Sequence, residues 1–433
     1  MQTYVDVILP LPLEGLFTYA VPQGMESQIC FGVRVLVPLG KSKKYLAMAV
    51  STHHNKPEGY AVKDIIQVTD STPILLPQQY KLWQWIADYY MSPLGDVFKA
   101  AFPSGLKAED GYKPKTELYI RLTEPFQSER ALHIALDMLA RADKQRSAFA
   151  CYLSLSHWDL AGQEAPEEIT REELMNVSHA TLPILSQLVK RGLLETYEQE
   201  VGRLNDGGTP HPENIKPLSE AQQEAYKQIL DSFGKHPVTL LHGVTSSGKT
   251  EIYIRLIQEA IDRHEQVLYL LPEIALTVQI MDRLKRVFGR RLGIYHSKYS
   301  DAERVEIWKK QLSDAPYDVI LGARSAVFLP FQRLGLVIID EEHETSYKQQ
   351  DPAPRYHARS AAIVLAQMYR AKTLLGTATP CMETYHNAQT GKYGLVELTQ
   401  RYQGIQLPEI QVVDIKDLQH RKMMSGPFSP LLL

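Results

Sequence analysis

The stretch Val238-Thr-Leu-Leu-His-Gly243-Val-Thr245-Ser246-Ser247-Gly248-Lys249-Thr250-Glu-Ile-Tyr decides the fold of the larger half of this chain. An apolar run ends at a glycine-bounded polar loop, and an amphipathic run begins directly behind it. Strand, loop and helix in that order are the setting in which GxxxxGK[ST] cradles a phosphate. The glycines let successive backbone N–H groups converge on an anion, and the helix N-terminus adds its partial positive charge. Lys249 then reaches the outer phosphates and the Thr250 hydroxyl binds Mg²⁺. Gly243, Thr245, Ser246, Ser247, Gly248, Lys249 and Thr250 are accordingly the expected contacts for ATP and Mg²⁺.

Outward from the loop, helical and strand-like text alternates. Buried strands are expected at 238–242, 266–271, 292–296, 318–322, 336–340 and 372–376, most of them separated by amphipathic helices. That rhythm predicts a mostly parallel, doubly wound sheet. One strand ends in Val337-Ile-Ile-Asp340-Glu341-Glu342-His343, and the carboxyl ends of such strands are where ligands bind. Asp340 is expected to hold Mg²⁺ and Glu341 to orient and deprotonate an attacking water, with Lys249 as the third catalytic residue. Glu342 and His343 join the nucleotide site or couple it to neighbouring segments.

Upstream, residues 203–217 carry Gly-Gly and three prolines with little apolar content, and read as a linker. Before it, 113–202 ends in helix, polar break at Asn176-Val-Ser178, second helix to Arg191, and a strand from Leu193 to Val201. That order fits a winged helix, a module that binds DNA or docks proteins; the acidic strand (Glu195, Glu198, Glu200) disfavours direct DNA readout. Residues 1–108 open with valines and aromatics at period two, at 4–10, 17–22, 33–40 and 45–52, and predict a small β-rich domain. A helix follows at 77–90 with Leu82, Trp83, Ile86, Tyr89 and Tyr90 on one face. The motor-like unit fills 218–433.

Composition excludes several classes. The chain has 44% hydrophobic and 22% charged residues, as folded globular proteins do. No apolar run approaches a membrane span, and the first residues have neither a basic n-region nor a long apolar core, so a cytoplasmic, nucleoid-associated protein without a membrane partner is expected. The three cysteines lie too far apart for a zinc site or a disulfide framework. A net charge of −3 rules out a global basic field, so any nucleic-acid contact must come from local patches and backbone amides.

An Asp-Glu-x-His run after a phosphate loop resembles the superfamily 2 helicases, and so do Leu271-Pro-Glu-Ile-Ala-Leu-Thr277 (motif Ia), Gly322-Ala-Arg324-Ser325-Ala (motif Ib) and Gly376-Thr377-Ala-Thr-Pro380 (motif III). By that resemblance the sheet is a RecA-like helicase lobe, Gln222 reads the adenine edge, and Arg324, Ser325 and Thr377 touch the phosphates of one DNA strand. The resemblance narrows to the PriA family of replication-restart helicases and covers essentially the whole chain. It is carried by Leu9-Pro-Leu-Pro, Phe17-Thr-Tyr19, Val37-Pro-Leu-Gly40-Lys41, Trp85-Ile-Ala-Asp-Tyr-Tyr90, Asp301-Ala-Glu-Arg304, Asp340 to Gln350 and Arg355-Tyr-His-Ala-Arg359.

The family resemblance implies an N-terminal pocket for the 3′ end of a nascent strand, made here of Phe17, Thr18, Tyr19, Gly40 and Lys63. The residues alone also allow Phe17 and Tyr19 to be core. Thr18 stands where the family often has an aspartate that accepts a bond from the 3′ hydroxyl. Tyr347 to Arg359 is similar to the family's aromatic-rich loop, with Tyr356, His357 and Arg359 as DNA contacts and two prolines stiffening it. The implied function is a 3′ to 5′ DNA helicase acting on stalled or abandoned forks, bound to forked and single-stranded DNA, as a monomer, with primosome and single-strand-binding proteins as partners. A second motor lobe and a zinc region are expected outside this chain, leaving slow or absent hydrolysis within it. Two alternatives remain from the residues: a fork-DNA-binding and partner-docking module with vestigial nucleotide binding, or another superfamily 2 nucleic-acid translocase.

Overall fold

The computed structural model describes residues 2–58, 61–107, 112–158, 167–202, 204, 207–273, 278–296, 299–400 and 411–432. The motif Ia residues 274–277 and Ser297 lie outside them, as does the side chain of Glu200. The expected multidomain α/β mixture is what the chain adopts: an antiparallel β-rich first region, a smaller mixed second region and a parallel sheet.

The first sheet is antiparallel, with β1 (Tyr4–Ile8), β2 (Phe17–Ala20), β3 (Arg34–Leu39), β4 (Lys43–His53) and β5 (Gln67–Val68) in the order β2-β1-β4-β3-β5. Alternation puts Val5, Val7, Tyr19, Val35 and Ala47 into one core beneath it. Two helices follow, α1 (Pro77–Tyr89) and α2 (Leu94–Ala101). Leu82, Trp83 and Ile86 of α1 are buried as expected, but Tyr89 is 65% exposed and stacks on Trp85. The last turn of α1 runs past the edge of the core, so the helical period alone overstates its buried face.

The second region has a three-stranded sheet, β7-β6-β8, from β6 (Lys115–Leu122), β7 (Ile169–Thr170) and β8 (Leu194–Val201). Helices α3 (Glu129–Met138), α4 (Asp143–Leu155), α5 (Arg171–Ser178) and α6 (Leu182–Lys190) cover it around a core of its own, centred on Phe149, Tyr152, Leu174 and Leu188. The break between α5 and α6 falls at His179, in the left-handed region, rather than at Asn176. Thr170 caps α5, and the Ser178 hydroxyl donates back to the Leu174 carbonyl, which carries the last turn through residues that read as polar punctuation.

The third region runs α7 (Glu220–Lys235), β9 (Val238–Gly243), α8 (Lys249–Asp262), β10 (Gln266–Leu270), α9 (Val278–Phe288), β11 (Leu292–Tyr295), α10 (Asp301–Leu312), β12 (Val319–Gly322), β13 (Leu334–Asp340), α11 (Ala358–Tyr369), β14 (Lys372–Thr377), α12 (Met382–Gln389) and β15 (Gly394–Leu398). The sheet order is β11-β12-β10-β13-β14-β9-β15, every pair parallel. Every expected strand is present, and β15 is added at the edge. Its alternating burial, with Leu395 and Glu397 exposed, is the pattern of a strand covered on one side only.

One apolar core joins the first and third regions. Trp83, Phe98 and Phe102 continue into Trp308, Phe328 and Tyr356, then into one face of the parallel sheet. Phe102 and Trp308 meet edge to face at 4.9 Å. Across the same seam the Trp308 indole donates to the Ile74 carbonyl at 2.8 Å, and Gln79 Nε2 to the Phe328 carbonyl at 2.7 Å. The other face of the sheet packs separately against α7, α8 and α9.

Candidate nucleotide site and neighbouring clusters

Strand β9 is buried along its length and delivers the loop at its carboxyl end. Two residues of that loop take left-handed backbone, Ser246 (φ 62°) and Gly248 (φ 79°). This is a strained choice for serine and a natural one for glycine, and it turns the chain into the first turn of α8. Lys249 is nearly buried, and its Nζ donates to the Gly243 carbonyl at 3.0 Å. The Ser247 hydroxyl is buried in the loop without a hydrogen-bond partner, the type of donor that an oxyanion satisfies.

In sheet order β13 lies two strands from β9, with β14 between them. The Asp340 carboxylate therefore arrives at the same end as the phosphate loop. Ser246, Ser247, Gly248, Lys249 and Thr250 share the wall of one cavity of about 890 Å³ with Asp340 and Glu341. Burial pushes the Asp340 carboxyl up to about 6, helped by the adjacent Glu341 charge and opposed by Lys249 and by the Tyr253 hydroxyl. Glu341 holds a left-handed backbone (φ 46°) that turns the chain out of the strand.

No three His, Cys, Asp or Glu side chains cluster as a metal site among the described residues. Magnesium keeps most of its waters and takes one or two protein ligands beside the phosphates of a nucleotide. Thr250 and Asp340, facing one cavity with Lys249 between charges, fit that requirement.

Several expected contacts sit elsewhere. Gln222 is buried at the N-terminus of α7. Its Oε1 accepts from the Ser219 N–H at 2.9 Å, and its Nε2 donates to the Ser247 and Gly248 carbonyls. The amide braces the phosphate loop and stands behind the cavity wall instead of on it. Gly243 and Thr245 are also off the wall. Glu342 is fully buried and points away from it, accepting from Arg359, from the Cys381 N–H at 2.8 Å and from the Thr384 hydroxyl at 2.9 Å. Arg359 is thereby held in an interior ion pair with Glu342. His343 Nδ1 lies 2.7 Å from the Thr377 hydroxyl, which also accepts from the Thr379 N–H. Thr377 is buried, so its side chain links two strand ends instead of touching a phosphate.

The aromatic loop is corrected too. Tyr356 is 1% exposed, packs edge-on against Phe328, and its hydroxyl donates to the Arg324 carbonyl. It has no free face for a base. His357 is half-buried; burial, then the charges of Arg359 and Lys348, push its imidazole down to about 4. Arg324 and Ser325 are half-buried at the end of β12.

The cavity also has walls that the motifs do not mark. Ile215 and Lys216 come from the stretch read as linker, and Arg283 and Arg286 from α9. That stretch is tied down: the His211 N–H donates to the Val287 carbonyl at 2.8 Å and Asn214 to the Arg286 carbonyl at 3.1 Å. Arg283 forms an ion pair with Glu251.

In the first sheet, Asp6 and Thr18 are cross-strand partners, and the Thr18 hydroxyl donates to Asp6 Oδ1 at 2.7 Å. Ser51 donates to Oδ2 at 2.8 Å and His53 Nε2 lies 3.2 Å from Oδ1. A carboxylate thus stands beside position 18 after all, supplied by β1. Burial raises the Asp6 pKa and the three side-chain partners lower it, and the net result lies below the usual carboxylate value. Lys63 Nζ donates to the Gly40 carbonyl at 2.5 Å. Phe17 is half-buried, whereas Tyr19 is buried with its hydroxyl donating to the Pro38 carbonyl. Tyr19 is therefore core, and alternation sends Thr18 to the opposite face from Phe17 and Tyr19.

Three family models match along the chain: a 3′ DNA-binding domain of PriA at 6–103, a winged-helix domain of Bacteroidota PriA helicase at 117–201, and a DEAD/DEAH box helicase at 219–388. Curated replication restart proteins PriA are similar throughout. That of Haemophilus influenzae is 34% identical over 99% of this chain and 56% of its own length, and that of Bacillus subtilis 30% over 96% and 58%. The PriA of Rickettsia conorii is 46% identical over 46% of this chain and 30% of its own. The chain spans about half the length of these longer matches. Among solved structures, RecG bound to a three-way DNA junction aligns with 67% of this chain and 34% of its own at 17% identity, with a TM-score of 0.36, too loose a likeness to carry an argument. Among the described residues no helix is long and apolar enough to cross a membrane.

Proposed function

This chain belongs to the PriA family of replication restart proteins, with a DEAD/DEAH helicase domain, and from that premise we propose that it binds ATP with Mg²⁺ and supplies the first motor lobe of a 3′ to 5′ DNA helicase. It engages stalled or abandoned forks and single-stranded DNA and initiates primosome assembly, with primosome and single-strand-binding proteins as partners, in the cytoplasm. The observation that carries this reading is the single cavity shared by Lys249, Thr250, Asp340 and Glu341.

The residues divide the work as follows. Backbone N–H groups of the loop and the start of α8 bind the phosphates, and Lys249 neutralises their outer charge. Thr250 and Asp340 hold Mg²⁺, which when bound screens the charge on the phosphates undergoing transfer. Glu341, on the cavity wall, takes a proton from the attacking water. His343 and Thr377, joined at 2.7 Å, and Glu342 with Arg359, tie the end of β13 to β14 and α11. In this role they relay between the nucleotide site and the segments that follow those strands.

In the first sheet, Asp6 takes the place of the aspartate expected at position 18 and accepts a bond from a 3′ hydroxyl, with Thr18 holding the carboxylate and Lys63 meeting a phosphate. The winged helix is favoured as a protein-docking module, because its last strand is acidic, with Glu195, Glu198 and Glu200 and no lysine or arginine.

The test is DNA-stimulated ATP turnover by Glu341→Gln, measured against the parent with the second motor lobe present. Turnover is expected to fall by about 100-fold or more, the usual loss on removing a general base, with nucleotide affinity within threefold (~0.7 kcal/mol) of the parent. Unchanged turnover would overturn the hydrolytic reading and leave a docking module.

A further inference from the structure

Asp340 is ringed by buried tyrosines whose contacts with it no motif predicts. Tyr253, on α8, donates its hydroxyl to Asp340 Oδ1 at 2.9 Å. Tyr269, on β10, reaches Oδ2 at 3.5 Å. Tyr347 donates to the Asp340 main-chain carbonyl at 2.7 Å and to that of Leu270 at 3.1 Å. All three rings are buried, and Tyr253 meets Tyr269 edge to face at 5.6 Å.

Tyr253 has the most consequential position. It follows Lys249 by one helical turn, so both side chains lie along one stripe of α8. Its hydroxyl crosses to the end of β13 through a space that β14 leaves open. A Cβ built on Gly376 would lie 1.8 Å from that oxygen and 3.2 Å from Asp340 Oδ1. The glycine that opens the Gly376-Thr-Ala-Thr-Pro run is thus explained by this crossing.

We propose that Tyr253 is a positioning residue for the nucleotide-bound metal: its hydroxyl fixes the orientation of the Asp340 carboxylate and ties it to the helix that carries Lys249 and Thr250. The proposal rests on the nucleotide-site reading above. A buried hydrogen bond that served stability alone would leave the metal requirement untouched, and this difference is what the experiment reads.

The full chain and its Tyr253→Phe variant are titrated with a fluorescent ATP analogue, across a series of Mg²⁺ concentrations and in EDTA. The half-saturating Mg²⁺ concentration is expected to rise about tenfold in the variant, the scale of one hydrogen bond to a charged group. Affinity in EDTA should stay within twofold (~0.4 kcal/mol). Gly376→Ala, which displaces the hydroxyl without touching the phosphate loop, should raise the Mg²⁺ requirement in the same direction, and by less when Tyr253 is already Phe. A Mg²⁺ requirement equal to the parent's in both variants overturns the proposal, and so does an equal loss of affinity with and without metal. A parent chain that binds no nucleotide overturns the nucleotide reading itself and this proposal with it.

Discussion

The nucleotide cavity and the Asp6 cluster are both polar sites set among buried strands, yet they are assembled in different ways. The first draws its phosphate cradle from consecutive residues, Ser246 to Thr250, because converging N–H groups on one anion requires neighbouring peptide units. The second gathers Asp6, Thr18, Ser51 and His53 from β1, β2 and β4 by register alone. No spacing rule links 6 to 18 or 51; only the pairing of the strands does. A site made of backbone leaves a motif in the sequence, whereas a site made of cross-strand side chains leaves a pattern that the sheet must first reveal.

The largest effect should separate the two sites outright. Lys249→Ala removes the charge facing the outer phosphates and should weaken nucleotide binding by about 100-fold, on the scale of ~2.7 kcal/mol. Binding of a 3′-ended single strand by the first region should stay within twofold (~0.4 kcal/mol). Titrations with nucleotide and with a labelled oligonucleotide check both halves; loss of both would mean that the regions are one site and the contrast is false. On stability, as distinct from binding, the largest effect falls on the seam between them. Trp83 is wholly buried in the core shared with Trp308 and Phe328, and Trp83→Ala should cost about 3–5 kcal/mol. Urea unfolding should show the parallel-sheet region losing stability with the first sheet. An independent transition for the motor region, unmoved by the substitution, would break that expectation.

The same contrast explains how much could be read from residues. Strands 238–242, 266–271 and 336–340 were legible to within two residues because they are buried on both faces and mostly apolar in sequence. Strand β15 was not, since it is a short edge strand in which Leu395 and Glu397 face outward and only alternate residues are buried. That Lys249, Thr250, Asp340 and Glu341 would meet at one cavity was legible because backbone direction at a strand end fixes it. Side-chain direction was not. Gln222, Glu342, Tyr356, Arg359 and Thr377 occupy the expected neighbourhood but turn inward to partners distant in sequence, such as Cys381 and Phe328. Arg283 and Arg286 were missed because α9 meets the phosphate loop only through the fold.

A smaller effect would sharpen the account of the first sheet. Asp6→Asn removes the charged acceptor and keeps its shape, and preference for a 3′-hydroxyl over a 3′-phosphate end should fall by about tenfold, one charged hydrogen bond's worth. Thr18→Val should cost less, because Ser51 and His53 still hold the carboxylate. Competition between the two oligonucleotide ends measures this, and a larger loss from Thr18→Val than from Asp6→Asn would reverse the assignment.

The smallest expected effect is on stability against pH, and its sign follows from the same contacts. The folded state holds Asp6 below its ordinary value of 3.8, because donation from Thr18, Ser51 and His53 outweighs burial. The unfolded chain therefore takes up this proton first as acid is added. The stabilisation that Asp6 contributes is complete above its unfolded value and is lost as pH falls through the lowered folded one. Urea midpoints for the parent and Asp6→Asn should differ at pH 7 and converge towards pH 3. A gap of equal size at both pH values would mean that the carboxylate's charge contributes nothing, and that Asp6 is held in the sheet by shape and neutral hydrogen bonding alone.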